Sequence, residues 1–187
     1  MGFYDKRKNV EEYIKLAEGF EGVELIKTLQ KHLPEGSSLL ELGMGPGKDL
    51  DILMKNYEVI GSDSSDIFLD MYKQKNPEAE LLKLDAVTLE IKQQFDCIYS
   101  NKVLMHLQQG DLFKSMQRQA EVLKDNGLLF HSFWYGTTSE RYNGLLFNYY
   151  NEDFLQKLVG TEYELVEMKR YTEMEQDDSI YMILRKR

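Results

Sequence analysis

The fold of this chain is decided by Leu39-Leu40-Glu41-Leu42-Gly43-Met44-Gly45-Pro46-Gly47. The first four residues form a short apolar strand pattern, and a helical pattern begins directly after the third glycine. Glycines at such a turn let a ligand come close to the backbone, because no Cβ stands in the way. The free N–H groups at the start of the following helix attract an anionic group. The stretch therefore predicts a strand–loop–helix unit at a binding site, although similar loops also occur where nothing binds.

Strand-like and helix-like patterns alternate on both sides of this stretch, which is typical of an α/β fold with a parallel sheet. The last two strand patterns have no helix between them and predict an antiparallel pair that closes one edge of the sheet. The predicted strands are Ser38–Gly43, Tyr57–Asp63, Ala79–Leu84, Phe95–Ser100, Gly127–Trp134, Tyr163–Tyr171 and Ile180–Leu184. The predicted helices are Val10–Ala17, Val23–His32, Lys48–Asn56, Asp66–Gln74, Asp111–Lys124 and Tyr150–Val159.

Length and charge restrict the class of protein. The 187 residues suit one domain, 1–187, with an N-terminal helical cap over 1–35. A net charge of −9 disfavours a nucleic acid as the principal ligand. The single cysteine, Cys97, excludes an internal disulfide and a multi-cysteine zinc site, and no metal site is predicted. Without a signal-like or membrane-spanning segment, we expect a cytoplasmic protein that does not bind membranes.

Two common nucleotide-binding glycine motifs do not match this sequence at positions that they require. A P-loop would need a glycine where Leu42 stands and a hydroxyl residue where Asp49 stands. The usual dinucleotide fingerprint would place its third glycine at Lys48, which argues against an NAD-dependent reductase but leaves that alternative open.

Asp63 follows Gly43 by 20 positions, at the end of the next strand. A carboxylate there can accept hydrogen bonds from both hydroxyls of a ribose, so Asp63 predicts a nucleoside ligand.

Five motifs in order resemble those of class I S-adenosylmethionine-dependent methyltransferases, from about Ser38 to the end of the chain. They are Leu40–Gly47, Ile60–Ser65, Leu84–Ala86, Phe95–Leu107 and Leu123–Leu129. The last has Asp-Asn-Gly where the family usually has Pro-Gly-Gly. The resemblance implies a Rossmann-like seven-stranded sheet with helices on both faces, strand order 3-2-1-4-5-7-6 and strand 7 antiparallel. It also implies S-adenosyl-L-methionine as the cofactor.

The resemblance assigns cofactor contacts residue by residue. Gly43, Gly45 and Gly47 would line the methionine part, with Glu41 near its amino group and Lys48 near its carboxylate. Asp63 would hold the ribose with Ser64 beside the adenine, and Asp85 and Ala86 would hold the adenine edge. Ser100 and Asn101 would face the amino-acid moiety. Tyr13, in the cap, would close over the pocket, although core packing explains it equally well.

Methyl transfer needs alignment of the acceptor with an already activated methyl group, and a base only where the acceptor must lose a proton. His106 is the candidate catalytic base, with a hydrogen-bonded structural histidine as the alternative. The aromatic segment 135–149 follows the fifth strand and predicts a lid over the acceptor. No motif of an enzyme that methylates nucleic-acid bases follows the fourth strand, so a small-molecule acceptor is expected. A protein of the same fold that binds the cofactor without transferring methyl groups remains a second alternative.

Overall fold

The computed structural model describes residues 2–187. Two short 3₁₀ turns, Phe3–Asp5 and Leu104–His106, accompany six helices and nine strands in this part of the chain. The helices are α1 (Arg7–Leu16), α2 (Val23–Leu29), α3 (Lys48–Leu53), α4 (Asp66–Lys75), α5 (Gln109–Val122) and α6 (Glu152–Leu158). The strands are β1 (Ser38–Leu42), β2 (Glu58–Asp63), β3 (Leu81–Lys83), β4 (Phe95–Asn101), β5 (Leu123–Trp134), β6 (Ser139–Tyr142), β7 (Leu145–Asn148), β8 (Tyr163–Tyr171) and β9 (Ser179–Lys186).

Seven strands form the main sheet in the order β3-β2-β1-β4-β5-β9-β8. The first five pair in parallel, and β9 runs antiparallel to both β5 and β8. When β6 and β7 are set aside, this is the predicted order 3-2-1-4-5-7-6 with strand 7 antiparallel. The predicted fold class is therefore confirmed.

Apolar side chains alternate between the two faces of the sheet, as the two-residue period of a strand requires. One face, with Leu40, Ile98 and Leu129, packs against α5 and α6. The opposite face, with Leu39, Cys97 and Phe130, packs against α2 and the end of α3. Both faces are buried by helices, so the strands read as nearly continuous hydrophobic runs. Cys97 is fully buried and packs in the second of these clusters.

Two segments have secondary structure that the sequence patterns did not predict. The segment 135–149 contains a β-hairpin, β6–β7, that forms a separate two-stranded sheet. Its turn residues Asn143 and Gly144 both have positive φ, which suits a tight hairpin turn. The predicted helix Asp111–Lys124 and strand Gly127–Trp134 are wrong at their junction. Here β5 begins at Leu123, directly after α5, and bulges at Asn126, so that Phe95 pairs with Leu123 and Cys97 with Leu128.

Candidate functional site

A cavity of about 240 Å³ lies at the carboxyl edge of β1, β2 and β4, where parallel sheets of this type bind ligands. The first 3₁₀ turn and α1 cover it from the N-terminal side. Most of the predicted cofactor residues meet here: Tyr13, Gly43, Gly45, Asp63, Ser64, Asp85, Ala86 and the candidate base His106. A smaller recess of about 50 Å³ joins the same glycine loop and is lined by Tyr13, Glu41, Gly43, Lys48, Asp49 and Asn101, among others.

The glycine loop needs its glycines for two different reasons. Gly43, Gly45 and Gly47 all have positive φ, which side chains rarely adopt. A Cβ at Gly43 would lie 2.5 Å from the side chain of Val103, and one at Gly47 would lie 2.2 Å from the ring of Tyr72. Gly43 and Gly45 line the cavity. Gly47 lines neither the cavity nor the recess; it precedes α3 in a left-handed conformation, so its contribution is the turn into the helix.

Asp63 ends β2 and links the loop to the next helix. One carboxylate oxygen accepts a hydrogen bond from Gly45 N at 2.9 Å, and the other accepts one from Ser65 N at 2.9 Å. Burial raises the pKa of Asp63, and the backbone hydrogen bonds from Ser65 and Gly45 partly lower it. A carboxylate has about four acceptor positions, so two remain for further donors such as ribose hydroxyls.

Asp85 follows β3 and holds the next loop. One of its oxygens accepts hydrogen bonds from Val87 N at 2.7 Å and Thr88 N at 3.1 Å, so the other oxygen is available to a ligand. The carbonyl of Ala86 accepts a 2.5 Å hydrogen bond from Ser115 on α5. Both Asp85 and Ala86 line the cavity, beside Ser64 and Phe68. This end of the cavity therefore combines a carboxylate with apolar walls, which suits the edge of a heterocyclic base.

Glu41 is a fully buried carboxyl group with an unsatisfied oxygen. It is 3% exposed, and its Oε2 has no hydrogen-bond partner among residues 2–187. Burial raises the pKa of Glu41 well above its ordinary value, and the nearby carboxylates of Asp49, Asp63 and Asp51 raise it further. A buried polar atom without a partner is costly. The side chain lines the recess, so a cationic or hydrogen-donating ligand group there would satisfy it.

Asp49 departs from the P-loop pattern in the sequence, and its position in the structure was not predicted. One oxygen of Asp49 accepts a hydrogen bond from Gly22 N at 2.7 Å. The other accepts from the hydroxyl of Tyr99 at 2.8 Å and from Nδ2 of Asn101 at 3.1 Å. Asp49 thus joins the cap, the glycine loop and β4 in one network. A carboxylate at the start of a helix was the only available signal, and it did not identify these partners.

Three residues with predicted cofactor contacts, Ser100, Asn101 and Lys48, do not line the main cavity. Ser100 is fully buried and lines neither the cavity nor the recess, because its hydroxyl lies 2.8 Å from Nδ1 of His131. The Ser100 side chain therefore faces away from the cavity, and its contact with the amino-acid moiety stays a prediction. Asn101 lines the recess, but its amide is engaged by Asp49 and by the Ser132 hydroxyl at 2.5 Å. Lys48 also lines the recess and lies 3.6 Å from Glu21 of the cap.

Tyr13 projects from α1 over the glycine loop. Its ring lies 3.6 Å from the position that a Cβ on Gly45 would take, and it lines both the cavity and the recess. Edge contacts with Tyr4 and Phe68, at ring separations of 5.4 and 5.8 Å, form an aromatic cluster above the cavity. Burial raises the pKa of Tyr13 to about 12, with contributions from Asp63, Asp49 and Glu173. Tyr13 therefore covers the loop as an uncharged phenol.

Lys102 is a partly buried cation that no sequence pattern indicated. Its ammonium lies 2.8 Å from Glu173 and 2.7 Å from the Ser179 hydroxyl, and it sits 3.7 Å from the centre of the Trp134 ring. Burial lowers the pKa of Lys102 to about 8, against the opposing effect of Glu173. Lys102 lines the cavity as half of an ion pair. Within residues 2–187, no group of three or more side chains with suitable donors is arranged to hold a metal ion.

Comparison with known proteins agrees with this geometry. A family model described as a methyltransferase domain matches residues 39–127. Trans-aconitate 2-methyltransferase of Enterobacter sp. (strain 638) is 29% identical over 100 residues, which are 52% of this chain and 39% of that protein. This chain thus matches well under half the length of that curated relative.

Solved structures share the fold at low sequence identity. The Burkholderia thailandensis 1,6-didemethyltoxoflavin-N1-methyltransferase, solved with 1,6-didemethyltoxoflavin and S-adenosylhomocysteine, superposes with a TM-score of 0.80 at 16% identity, over 96% of this chain and 84% of that one. The N-methyltransferase NodS of Bradyrhizobium japonicum WM9, in complex with S-adenosyl-L-homocysteine, gives 0.70 at 15% identity, over 88% and 84%.

The family match covers the glycine loop, Asp63 and Asp85, and the sheet has the strand order that the family motifs implied. Residues 39–127 match a methyltransferase domain, and the chain has the fold of S-adenosylmethionine-dependent methyltransferases. None of the helices in residues 2–187 is long and apolar enough to cross a membrane.

Proposed function

We propose that the protein binds S-adenosylmethionine in the cavity and recess and transfers its methyl group to a small-molecule acceptor. The observation that carries the proposal is the unpartnered Oε2 of Glu41, buried beside a glycine loop that ends in a helix. An α-ammonium group would supply the missing donor and the opposite charge. Two of the carboxylates that line the cavity, Asp63 and Asp85, each keep acceptor positions free for hydroxyl and amino donors.

In this proposal the cofactor supplies an activated methyl group, and the chain provides alignment and exclusion of water. Glu41 binds the amino group, Asp63 the ribose, and Asp85 with Ala86 the adenine edge. Lys48 faces the carboxylate from the recess, where Glu21 is its present partner. Tyr13 and its aromatic neighbours keep water from the glycine loop. The hairpin β6–β7 closes the acceptor side, since Leu145 lines the cavity there.

The charges in the cavity favour an acceptor that is not anionic. Among the described residues, the carboxylates that line it are Asp5, Asp63 and Asp85. Lys102, the one lysine in its lining, is already paired with Glu173. A tricarboxylate would therefore meet more negative than unpaired positive charge. We expect trans-aconitate, the substrate in the name of the curated relative, to be methylated poorly, and efficient turnover of trans-aconitate would contradict this part of the proposal.

Transfer itself is tested with S-adenosylmethionine labelled in its methyl group and a mixture of small metabolites. Labelled product that depends on the folded protein supports a methyltransferase. Tight binding of S-adenosylhomocysteine without any transfer would instead favour a protein that retains only cofactor binding. We also propose that nucleic acids and membranes are not partners and that the protein acts in the cytoplasm, as expected from its charge and sequence.

A further inference from the structure

His106 and the hairpin β6–β7 form one hydrogen-bonded unit beside the cavity. Nδ1 of His106 lies 2.6 Å from the backbone carbonyl oxygen of Leu146 on β7. The imidazole ring also meets the ring of Phe147 edge to face, with centroids 4.8 Å apart. The histidine lies in the 3₁₀ turn that follows β4 and lines the cavity. Its orientation is therefore set by the hairpin.

The Leu146 contact determines which ring nitrogen carries the proton. A carbonyl oxygen only accepts hydrogen bonds, so Nδ1 must donate its proton to it. Burial lowers the pKa of His106, while the bond to Leu146 raises it by less, so the ring is neutral near pH 7. In a neutral ring with Nδ1 protonated, Nε2 holds a free lone pair.

Nε2 is the second nitrogen of this ring, which lines the cavity. It has no hydrogen-bond partner among residues 2–187. Nε2 is not fully buried either. Within residues 2–187, the fully buried side-chain nitrogen and oxygen atoms that lack a hydrogen-bond partner are Oε2 of Glu41 and the Tyr150 hydroxyl, and Nε2 is not among them. An unprotonated nitrogen that is open to a ligand cavity is suited to accept a proton.

Asn148 holds the hairpin against the turn that carries His106. Its side-chain amide donates to the carbonyl oxygens of Met105 at 2.9 Å and Leu107 at 2.8 Å, the two neighbours of His106. Asn148 is 6% exposed, so these hydrogen bonds form away from water. The same strand thus fixes the backbone on both sides of the histidine and supplies the carbonyl that binds its ring.

We propose that Asn148 is a positioning residue that, through the Leu146 carbonyl, keeps Nε2 of His106 unprotonated to receive a proton from an O–H or N–H acceptor. The inference rests on the proposed methyl transfer. In that step the acceptor atom forms a bond to the methyl carbon, and the carbon–sulfur bond breaks with its electron pair left on sulfur. The acceptor proton passes to Nε2, and S-adenosylhomocysteine and an imidazolium remain.

The first test is the protonation state of the ring in the wild-type chain. Protein labelled with ¹⁵N-histidine and saturated with S-adenosylhomocysteine gives three histidine spin systems, from His32, His106 and His131. The His106→Asn variant identifies the signals of His106. We expect its proton on Nδ1 at neutral pH, and a titration below the ordinary value for histidine. The charged side chains that share the cavity are Asp5, Asp63, Asp85 and Lys102, and neither β7 nor the turn adds another. A proton on Nε2 would overturn the proposal without any variant.

The second test separates positioning from stability. In Asn148→Ala the hairpin loses its two bonds to the turn, and we expect the ratio of the Nδ1-protonated to the Nε2-protonated ring to fall about tenfold, or about 1.4 kcal/mol. Asn148→Gln keeps the amide donors and should restore part of that ratio. Tyr142→Ala, at the hairpin tip where the side chain is 63% exposed, is the matched control and should change nothing.

An unchanged ring in a folded Asn148→Ala variant would refute the role of Asn148. Failure of the wild-type chain to bind S-adenosylhomocysteine would instead refute the proposed function. Binding with the wrong protonation state would refute only this inference.

Discussion

Replacing Glu41 by glutamine removes the ionisable carboxyl group from the recess and keeps the shape of the side chain. If Glu41 binds the cofactor ammonium, the substitution converts a charge-assisted contact into a neutral one. A hydrogen bond to a charged group contributes about 1.5–3 kcal/mol, so the affinity for S-adenosylhomocysteine should fall about 10- to 150-fold. The exposed Glu58 offers the same substitution as a control, and Glu58→Gln should leave affinity unchanged.

Titration calorimetry measures both the affinity and the protons exchanged. Because burial raises the pKa of free Glu41, the pairing with an ammonium should ionise it and release protons. Runs in two buffers of different ionisation enthalpy should detect this release in the wild type and not in Glu41→Gln. Affinity should therefore rise as the pH rises through the pKa of free Glu41. Unchanged affinity in a folded Glu41→Gln variant, with equal proton release, would refute the assignment.

The raised pKa of Glu41 also predicts how stability depends on pH. The stability of the ligand-free protein should fall as the pH rises, whereas cofactor affinity should rise. A carboxyl group whose pKa is raised in the folded state contributes stability below its unfolded pKa and loses that contribution as the pH rises through the folded pKa. Without ligand, Glu41→Gln should thus be increasingly stable relative to the wild type as pH increases. Urea unfolding at several pH values checks this.

Three further predictions concern the ribose carboxylate, the buried network and the surface. Asp63→Asn leaves one oxygen for two backbone donors, so the dissociation constant for S-adenosylhomocysteine should rise about 10- to 150-fold; unchanged calorimetric affinity in a folded variant would contradict the ribose role. Tyr99→Phe removes a donor to buried Asp49 and should lower the free energy of unfolding by about 1.5–3 kcal/mol. Tyr57→Phe, whose hydroxyl meets the Leu33 carbonyl at 3.3 Å, should cost only about 0.5–1.5 kcal/mol, and equal losses in urea unfolding would refute the difference. With a net charge of −9, the protein should not be retained on immobilised duplex DNA or RNA near physiological salt, and salt-sensitive retention would be the contrary result.

Local patterns predicted most of the fold, because each strand and helix has a characteristic spacing of hydrophobic residues and ends at residues that favour a turn. The glycine loop and Asp63 were also predictable, since a strand end fixes where the next side chains lie. Pairings between distant segments were not. Asp49 binds Gly22, Lys102 binds Glu173, and Ser100 turns toward His131, and each contact depends on tertiary packing rather than on spacing in the sequence.

The hairpin β6–β7 illustrates the same limit at the level of backbone structure. Asn143-Gly144 is a strong turn signal, yet the flanking strands are only four residues each and β6 is exposed along its whole length. Such strands lack the apolar alternation that identifies a half-buried strand. Their position is set by the Asn148 amide and by contact with the turn that carries His106, neither of which is encoded locally.

The choice of cofactor is tested most directly by calorimetric titration of the wild-type protein with S-adenosylhomocysteine and, separately, with NAD. We predict micromolar binding of S-adenosylhomocysteine, about −8 kcal/mol, and no competition from NAD. Tight binding of NAD with no response to S-adenosylhomocysteine would contradict the assignment of Glu41, Asp63 and Asp85 to this cofactor.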